Sequence, residues 1–169
     1  MKRLVVAFGI SLLLQGCTYA ISPEMVDQSD NTLTFRQLQA DPDTFKGKII
    51  ILGGIIVQTS TTKHATIIEI VERPLDYWGK PKRTNKTEGR FLVVHNGYLD
   101  PMLFSPGSAI TVAAEIEGTR GKSLGEIDYS YPVVVSKELK LWPRERQSWD
   151  RPQWIDPLYD PYSPARHEW

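Results

Sequence analysis

The spacing of apolar residues changes near position 48, and that change divides the chain. Ahead of it, Thr34 is placed to cap a short helix over 35–40, with Phe35 and Leu38 three apart on its inner side and Pro42 ending it. Beyond it, residues 48–59 hold Ile49, Ile50, Ile51, Leu52, Ile55, Ile56 and Val57, apolar on both faces and broken only by Gly53 and Gly54. A glycine pair inside such a strand predicts a bulge or a sharp coil, so that one long strand pairs on two sides of a small barrel. Residues 64–72 form the second strand, stopped by Arg73 and Pro74, and 89–95 the third, with a polar loop over 79–88 between them. Apolar residues at near-helical spacing over 96–104 predict one or two helical turns that plug a barrel end. In 108–117, Ile110, Val112, Ala114 and Ile116 alternate with Thr111, Ala113, Glu115 and Glu117, a strand with one buried face. Gly118, Gly121 and Gly125 punctuate a connection to a last strand over 129–141, which Pro132 places at an edge or brings in late.

Five strands, a coiled first strand and a short helix between the third and fourth are the order of an OB-like barrel. The fold class is therefore mainly β, a small five-stranded OB-like barrel with short helices over 34–142, an open β-sandwich being the alternative. Residues 143–169 form a Pro/aromatic-rich C-terminal tail. Barrels of this kind host many unrelated activities, so the fold alone assigns none.

The first residues carry an address. Lys2 and Arg3 precede an uncharged run from Leu4 to Leu14, then Gln15, Gly16 and Cys17, the only cysteine. As a helix that run spans about 16 Å, against the roughly 30 Å of a bilayer core, so it reads as a targeting segment. The stretch Leu14, Gln15, Gly16, Cys17 resembles the bacterial lipobox, although Gln15 departs from the usual small or aliphatic residue. Residues 1–16 then form a lipoprotein signal peptide, cleaved between Gly16 and Cys17, and Cys17 takes acyl chains on sulfur and nitrogen. Two or three chains hold a protein to a membrane almost permanently. Thr18, where an aspartate would resemble an inner-membrane retention signal, points to the outer membrane. Residues 17–33 are expected to be a lipidated N-terminus and flexible tether, being polar with few large apolar groups.

Composition adds exclusions. Acidic and basic residues are equal in number, and losing Lys2 and Arg3 leaves the mature chain slightly acidic, so net charge gives no argument for nucleic acid. With its one cysteine committed to lipid, the mature domain has no disulfide and depends on packing. His64, His95 and His167 are scattered without metal-ligand spacing, so no metal and no cofactor are expected. There is no phosphate-binding glycine loop and no GxSxG elbow. Glu69, between Ile67 and Val71 on one strand face, is the one candidate acid or base, since apolar neighbours raise a carboxyl pKa, but no second carboxylate or nucleophile pairs with it. Glu126 and Asp128 read as loop charges. The loop with Lys80, Lys82, Arg83 and Lys86 beside Tyr77 and Trp78 is a crude version of a single-strand-binding surface, which a periplasmic address makes an unsuitable partner for nucleic acid.

Taken in order, Cys17, Gly47 and Lys48 into Gly53 and Gly54, Pro74 and Leu75, Gly89 and Arg90 into Phe91 and Leu92, Tyr98 to Pro101, then Gly125, Glu126, Tyr129, Tyr131, Pro132 and Trp142 resemble the Slp family of bacterial outer-membrane lipoproteins, known as starvation-inducible. The likeness covers roughly residues 1–142. It implies lipid-anchored residence in the outer membrane and a link to starvation or acid stress. It supplies no catalytic residues.

The tail sets five prolines, Pro143, Pro152, Pro157, Pro161 and Pro164, among Trp149, Trp154, Tyr159, Tyr162 and Trp169. That proline density excludes a long helix. The rings either fold back over the barrel or form a strap for a membrane, glycan or protein partner, with plain disorder the remaining alternative. The resulting expectation is a non-enzymatic outer-membrane lipoprotein that supports envelope integrity or stress response through a periplasm-facing β domain. The alternatives are a binding module for a small ligand or glycan that uses the aromatic tail, and an enzyme with Glu69 as acid or base.

Overall fold

The computed structural model describes residues 19–124 and 127–142, with backbone alone over 122–124 and 127–129. Five strands, β1 (Ile49–Thr61), β2 (Ala65–Glu72), β3 (Arg90–Asn96), β4 (Ala109–Leu124) and β5 (Ile127–Trp142), close into a barrel in the order β1-β2-β3-β5-β4. This is the closed, OB-like alternative rather than the open sandwich. Full closure removes the exposed strand edges that an open sheet leaves.

The first strand works as its composition requires. Ile49 to Ile55 pair with β4, and Gly54 to Thr61 pair with β2, so Gly54 and Ile55 are bonded on both sides. The strand's irregularity is at Val57, between Ile56 and Gln58, not at the glycines. Gly54 is instead a point of close approach: a Cβ there would lie 2.0 Å from the Val71 carbonyl oxygen. The coil follows from having no side chain where two strands meet.

The barrel interior is filled. Ile56, Ile68, Ile70, Phe91, Val93, Ile110, Val112, Ala114, Ile116 and Val134 are essentially inaccessible. Helix α2 (Phe35–Ala40) adds Phe35 and Leu38 to this core, with the Phe35 and Phe91 rings 5.7 Å apart. Thr34 caps it in a capping box, donated to by the Gln37 N–H while the Gln37 side chain accepts from the Thr34 N–H. Pro42 then opens a 3-10 turn, Pro42–Phe45.

Several expectations are corrected. Residues 19–33 are not a tether: Ala20 and Ile21 are buried against Ala113, helix α1 (Pro23–Gln28) lays Met25 and Val26 on the same cluster, and the Asp30 N–H donates to the Ile49 carbonyl. Two small apolar side chains and backbone bonding hold what polarity suggested would be free. The second face of β4 is likewise not solvated: Ala113 is inaccessible under that cluster, and Thr111 is inaccessible beside Gly79 and Trp142. No helix forms over 96–104. A single turn with Phe104 N–H donating to the Asp100 carbonyl sends Leu99 and Phe104 against the core. Gly118 and Gly121 lie within β4, paired with Val133 and Ser130, so the glycine-punctuated connection is a two-stranded extension. Pro132 pairs with Thr119, just before β5 gains its second neighbour β3 at Val133. There its missing N–H costs one ladder only.

Candidate functional site: an aromatic loop and an open groove

The β2–β3 connection, residues 73–89, leaves one end of the barrel and builds two surfaces. Its first half is a tight turn. The Asp76 carboxylate accepts from the N–H groups of Trp78 and Lys80, both at 2.9 Å, the Asp76 N–H donates to the Lys80 carbonyl, and Gly79 takes φ +77°. Gly79 is required there, since an L side chain in that region is strained and would also meet the Ala20 Cβ at 2.8 Å. The turn is bolted to the barrel wall: the Thr111 hydroxyl donates to the Gly79 carbonyl at 2.6 Å and accepts from the Trp142 indole N–H at 2.9 Å. What this rigid turn displays is apolar, Tyr77 at 80% and Trp78 at 56% exposed. Tyr19, 51% exposed, extends the row, with ring centroids 6.4 Å from Tyr19 to Trp78 and 5.3 Å from Trp78 to Tyr77.

The second half of the loop walls an open groove of about 580 Å³ between α2, the start of β1 and residues 72–75 and 86–88. Leu33, Ile50, Leu52 and Leu75 line its apolar side. Arg36 and Glu88 pair at 3.3 Å on its rim, and Arg73 donates to the Lys86 carbonyl. The Glu72 carboxylate in its wall accepts from the Glu88 N–H at 3.0 Å. Burial pushes the Glu72 pKa up, that hydrogen bond and Arg73 opposing it.

Glu69 lies elsewhere. It is on the outer face of β2 yet only 5% exposed, its Oε1 accepting from Arg90 at 2.7 Å and from the Tyr131 hydroxyl at 3.1 Å. The hydrogen bond to Glu69 raises the Arg90 pKa, against burial. These three side chains join β2, β3 and β5 over a small cluster of Leu92, Tyr131 and Val133. The parallel β3–β5 seam has only Leu92, Val93 and Val94 opposite Val133, Val134 and Val135, so side chains reinforce it. At its far end His95 Nδ1 meets the Ser136 hydroxyl at 2.8 Å. Glu69 and His95 therefore have structural positions that account for both. His64 is exposed in the β1–β2 turn, and no group of three or more His, Cys, Asp or Glu side chains converges as for a metal among the described residues.

Gly16 and Cys17 at the cleavage and lipidation point, and Trp149, Trp154, Tyr159, Tyr162 and Trp169 of the candidate partner-binding tail, lie outside the described residues, as do His167 and the side chains of Glu126 and Asp128. Among the described residues no helix is long and apolar enough to cross a membrane. Sequence reasoning located Tyr77 and Trp78 in a loop but missed Tyr19 and Glu72. The adjacency of Tyr19 to Cys17 was the available signal for the first; for the second there was none, because the groove exists only once α2 packs on the barrel.

Comparison with known proteins places the chain among bacterial lipoproteins. An uncharacterized protein of Haemophilus influenzae is 31% identical over 64% of this chain, which spans 60% of that protein's length. In Escherichia coli, the uncharacterized lipoprotein YeaY is 28% identical over 92% of this chain and 80% of its own, and the outer membrane protein Slp is 24% identical over 84% and 76%. The model of the outer membrane lipoprotein Slp family matches residues 14–169, and the chain belongs to that family.

Proposed function

We propose that this protein is a non-enzymatic lipoprotein, anchored through acylated Cys17 in the outer membrane, whose periplasm-facing barrel supports envelope integrity under stress. The observation that carries the reading is the docking of Ala20 and Ile21 on the barrel wall. With those residues fixed, only Cys17 to Tyr19 separate lipid from domain, about 7 Å of extended chain. The barrel then works at the membrane surface. Family membership supports the outer-membrane lipoprotein, and the stress link is part of the proposal.

The test is palmitate labelling and membrane fractionation of wild type and Cys17→Ser in intact cells, with protease added outside or after opening the outer membrane. The reading expects label and membrane retention in wild type alone, and digestion only after opening. Label on the Cys17→Ser chain, or digestion in intact cells, contradicts the anchor or the orientation respectively.

The groove favours a second reading, a binding module for a small ligand or glycan. Its volume of about 580 Å³ lies within the range of roughly 300–1,000 Å³ typical of ligand sites, and it joins an apolar wall to a few polar groups. This reading expects envelope glycans to shift amide resonances of Arg36, Glu72 and Glu88, and the Arg36→Ser variant to weaken the response. Shifts confined to other surfaces would reject it.

A further inference from the structure

Three aromatic rings in contact, two of them more than half exposed on a turn hydrogen-bonded into rigidity, are an unusual way to leave apolar surface in water. We propose that Tyr19, Tyr77 and Trp78 form a seat that enters the headgroup layer of the phospholipid membrane holding the Cys17 lipid, and so fix the barrel's orientation on it. This rests on the acylation of Cys17 proposed above.

Position is the first argument. Tyr19 stands two residues after Cys17, and the Gly79 turn packs on Ala20, so the patch lies where the acyl chains must enter the bilayer. Three further observations fit a lipid surface. Tyr and Trp carry an apolar body with a polar tip, the chemistry favoured at the membrane–water boundary. Exposed Lys82 follows on the same loop and suits anionic headgroups. The turn is held by Asp76, Thr111 and Trp142, so its rings are presented outward without further ordering. Tyr98, Met102 and Leu103, also exposed, follow the opposite end of β3 from this seat.

The experiment uses the full acylated chain in vesicles of phosphatidylethanolamine and phosphatidylglycerol, a fraction of them brominated near the headgroup, with tryptophan emission compared between wild type and Trp78→Phe. The proposal expects bromolipid to quench a component of wild-type emission that Trp78→Phe lacks, with unchanged thermal midpoint because Trp78 is exposed. Equal quenching in both proteins, on chains that carry palmitate, overturns the seat and leaves the anchor standing. Absence of palmitate on Cys17 overturns the anchor and the seat with it. A Trp78 signal that responds to deletion of residues 143–169 and not to bromolipid gives the rings to the tail, and also overturns the proposal.

Discussion

The backbone N–H of Ser22 points between the two carboxylate oxygens of Glu138, at 3.1 and 3.0 Å, joining residues 116 apart in sequence. Ser22 also caps α1, its hydroxyl accepting from the Met25 N–H. The first residues of the described chain are thereby fastened to β5 while Ala20 and Ile21 pack on β4.

Glu138→Ala removes a charge-assisted hydrogen bond worth about 1.5–3 kcal/mol when fully buried. Because this one is part-buried, a loss of about 1 kcal/mol is expected. The effect should be local: hydrogen exchange at Ser22, Met25 and Val26 should accelerate about fivefold, the factor that about 1 kcal/mol gives, while β4 amides keep their protection. Unchanged exchange there would restore the free tether.

Glu69→Gln removes the carboxylate to which the Arg90 guanidinium donates. Breaking a fully buried pair costs about 3–5 kcal/mol, and Arg90, whose side chain is 32% exposed, should lose about 2. Tyr131→Phe removes the hydroxyl that donates to Glu69 and should cost about 1 kcal/mol. Urea unfolding measures both. Since the three groups share one network, the double variant should lose less than the two single losses added.

Gly54→Ala places a methyl group 2.0 Å from the Val71 carbonyl oxygen and 2.6 Å from the Ile70 side chain, inside the doubly paired stretch of β1. Overpacking of that kind costs about 1–3 kcal/mol or more. Gly121→Ala, where nothing lies within 4 Å, should be nearly neutral. Thermal midpoints of the two variants therefore test the closure of the barrel with a built-in control.

Glu72 gives the groove a pH dependence of known sign. Burial raises its pKa above the ordinary carboxylate value of 4.5, so the folded state binds the proton more tightly than the unfolded state. Its contribution is fully present below that ordinary value and is lost as pH rises through the raised one. Glu72→Gln, which keeps an acceptor for the Glu88 N–H, should be more stable than wild type at pH 7, with the difference shrinking toward pH 4. Asp30 acts in the opposite sense: the Thr32 hydroxyl and Lys48 hold its pKa well below the usual range. Stability linked to Asp30 is present above the unfolded value and lost only at strongly acid pH. Unfolding midpoints of Glu72→Gln and Asp30→Asn across pH 3–8 separate the two.

What the sequence revealed was what neighbours decide. Thr34, Phe35 and Leu38 announce α2 because cap and spacing are local, and the Ile110 to Ile116 alternation announces β4 because burial of one face follows from the strand period. Burial of Thr111 and Ala113 was hidden, since what packs on Ala113, Ala20 and Ile21, lies about 90 residues away in a segment that composition marks as polar, and what meets Thr111 is the Gly79 turn and Trp142. The helix over 96–104 failed for a related reason: Leu99 and Phe104 reach the core from a single turn, and the apolar Met102 and Leu103 between them are left outside. Glu69 was correctly singled out as unusual, but only the register of three strands shows Arg90 and Tyr131 closing over it.

A five-stranded barrel drawn together at Gly54 and packed with Ile68, Ile70, Phe91 and Ile110 is solid throughout. Larger barrels of eight strands can enclose a small molecule; the described interior of this one is taken up by side chains, and its groove lies outside them, so a ligand of the described domain would be met on its outer skin.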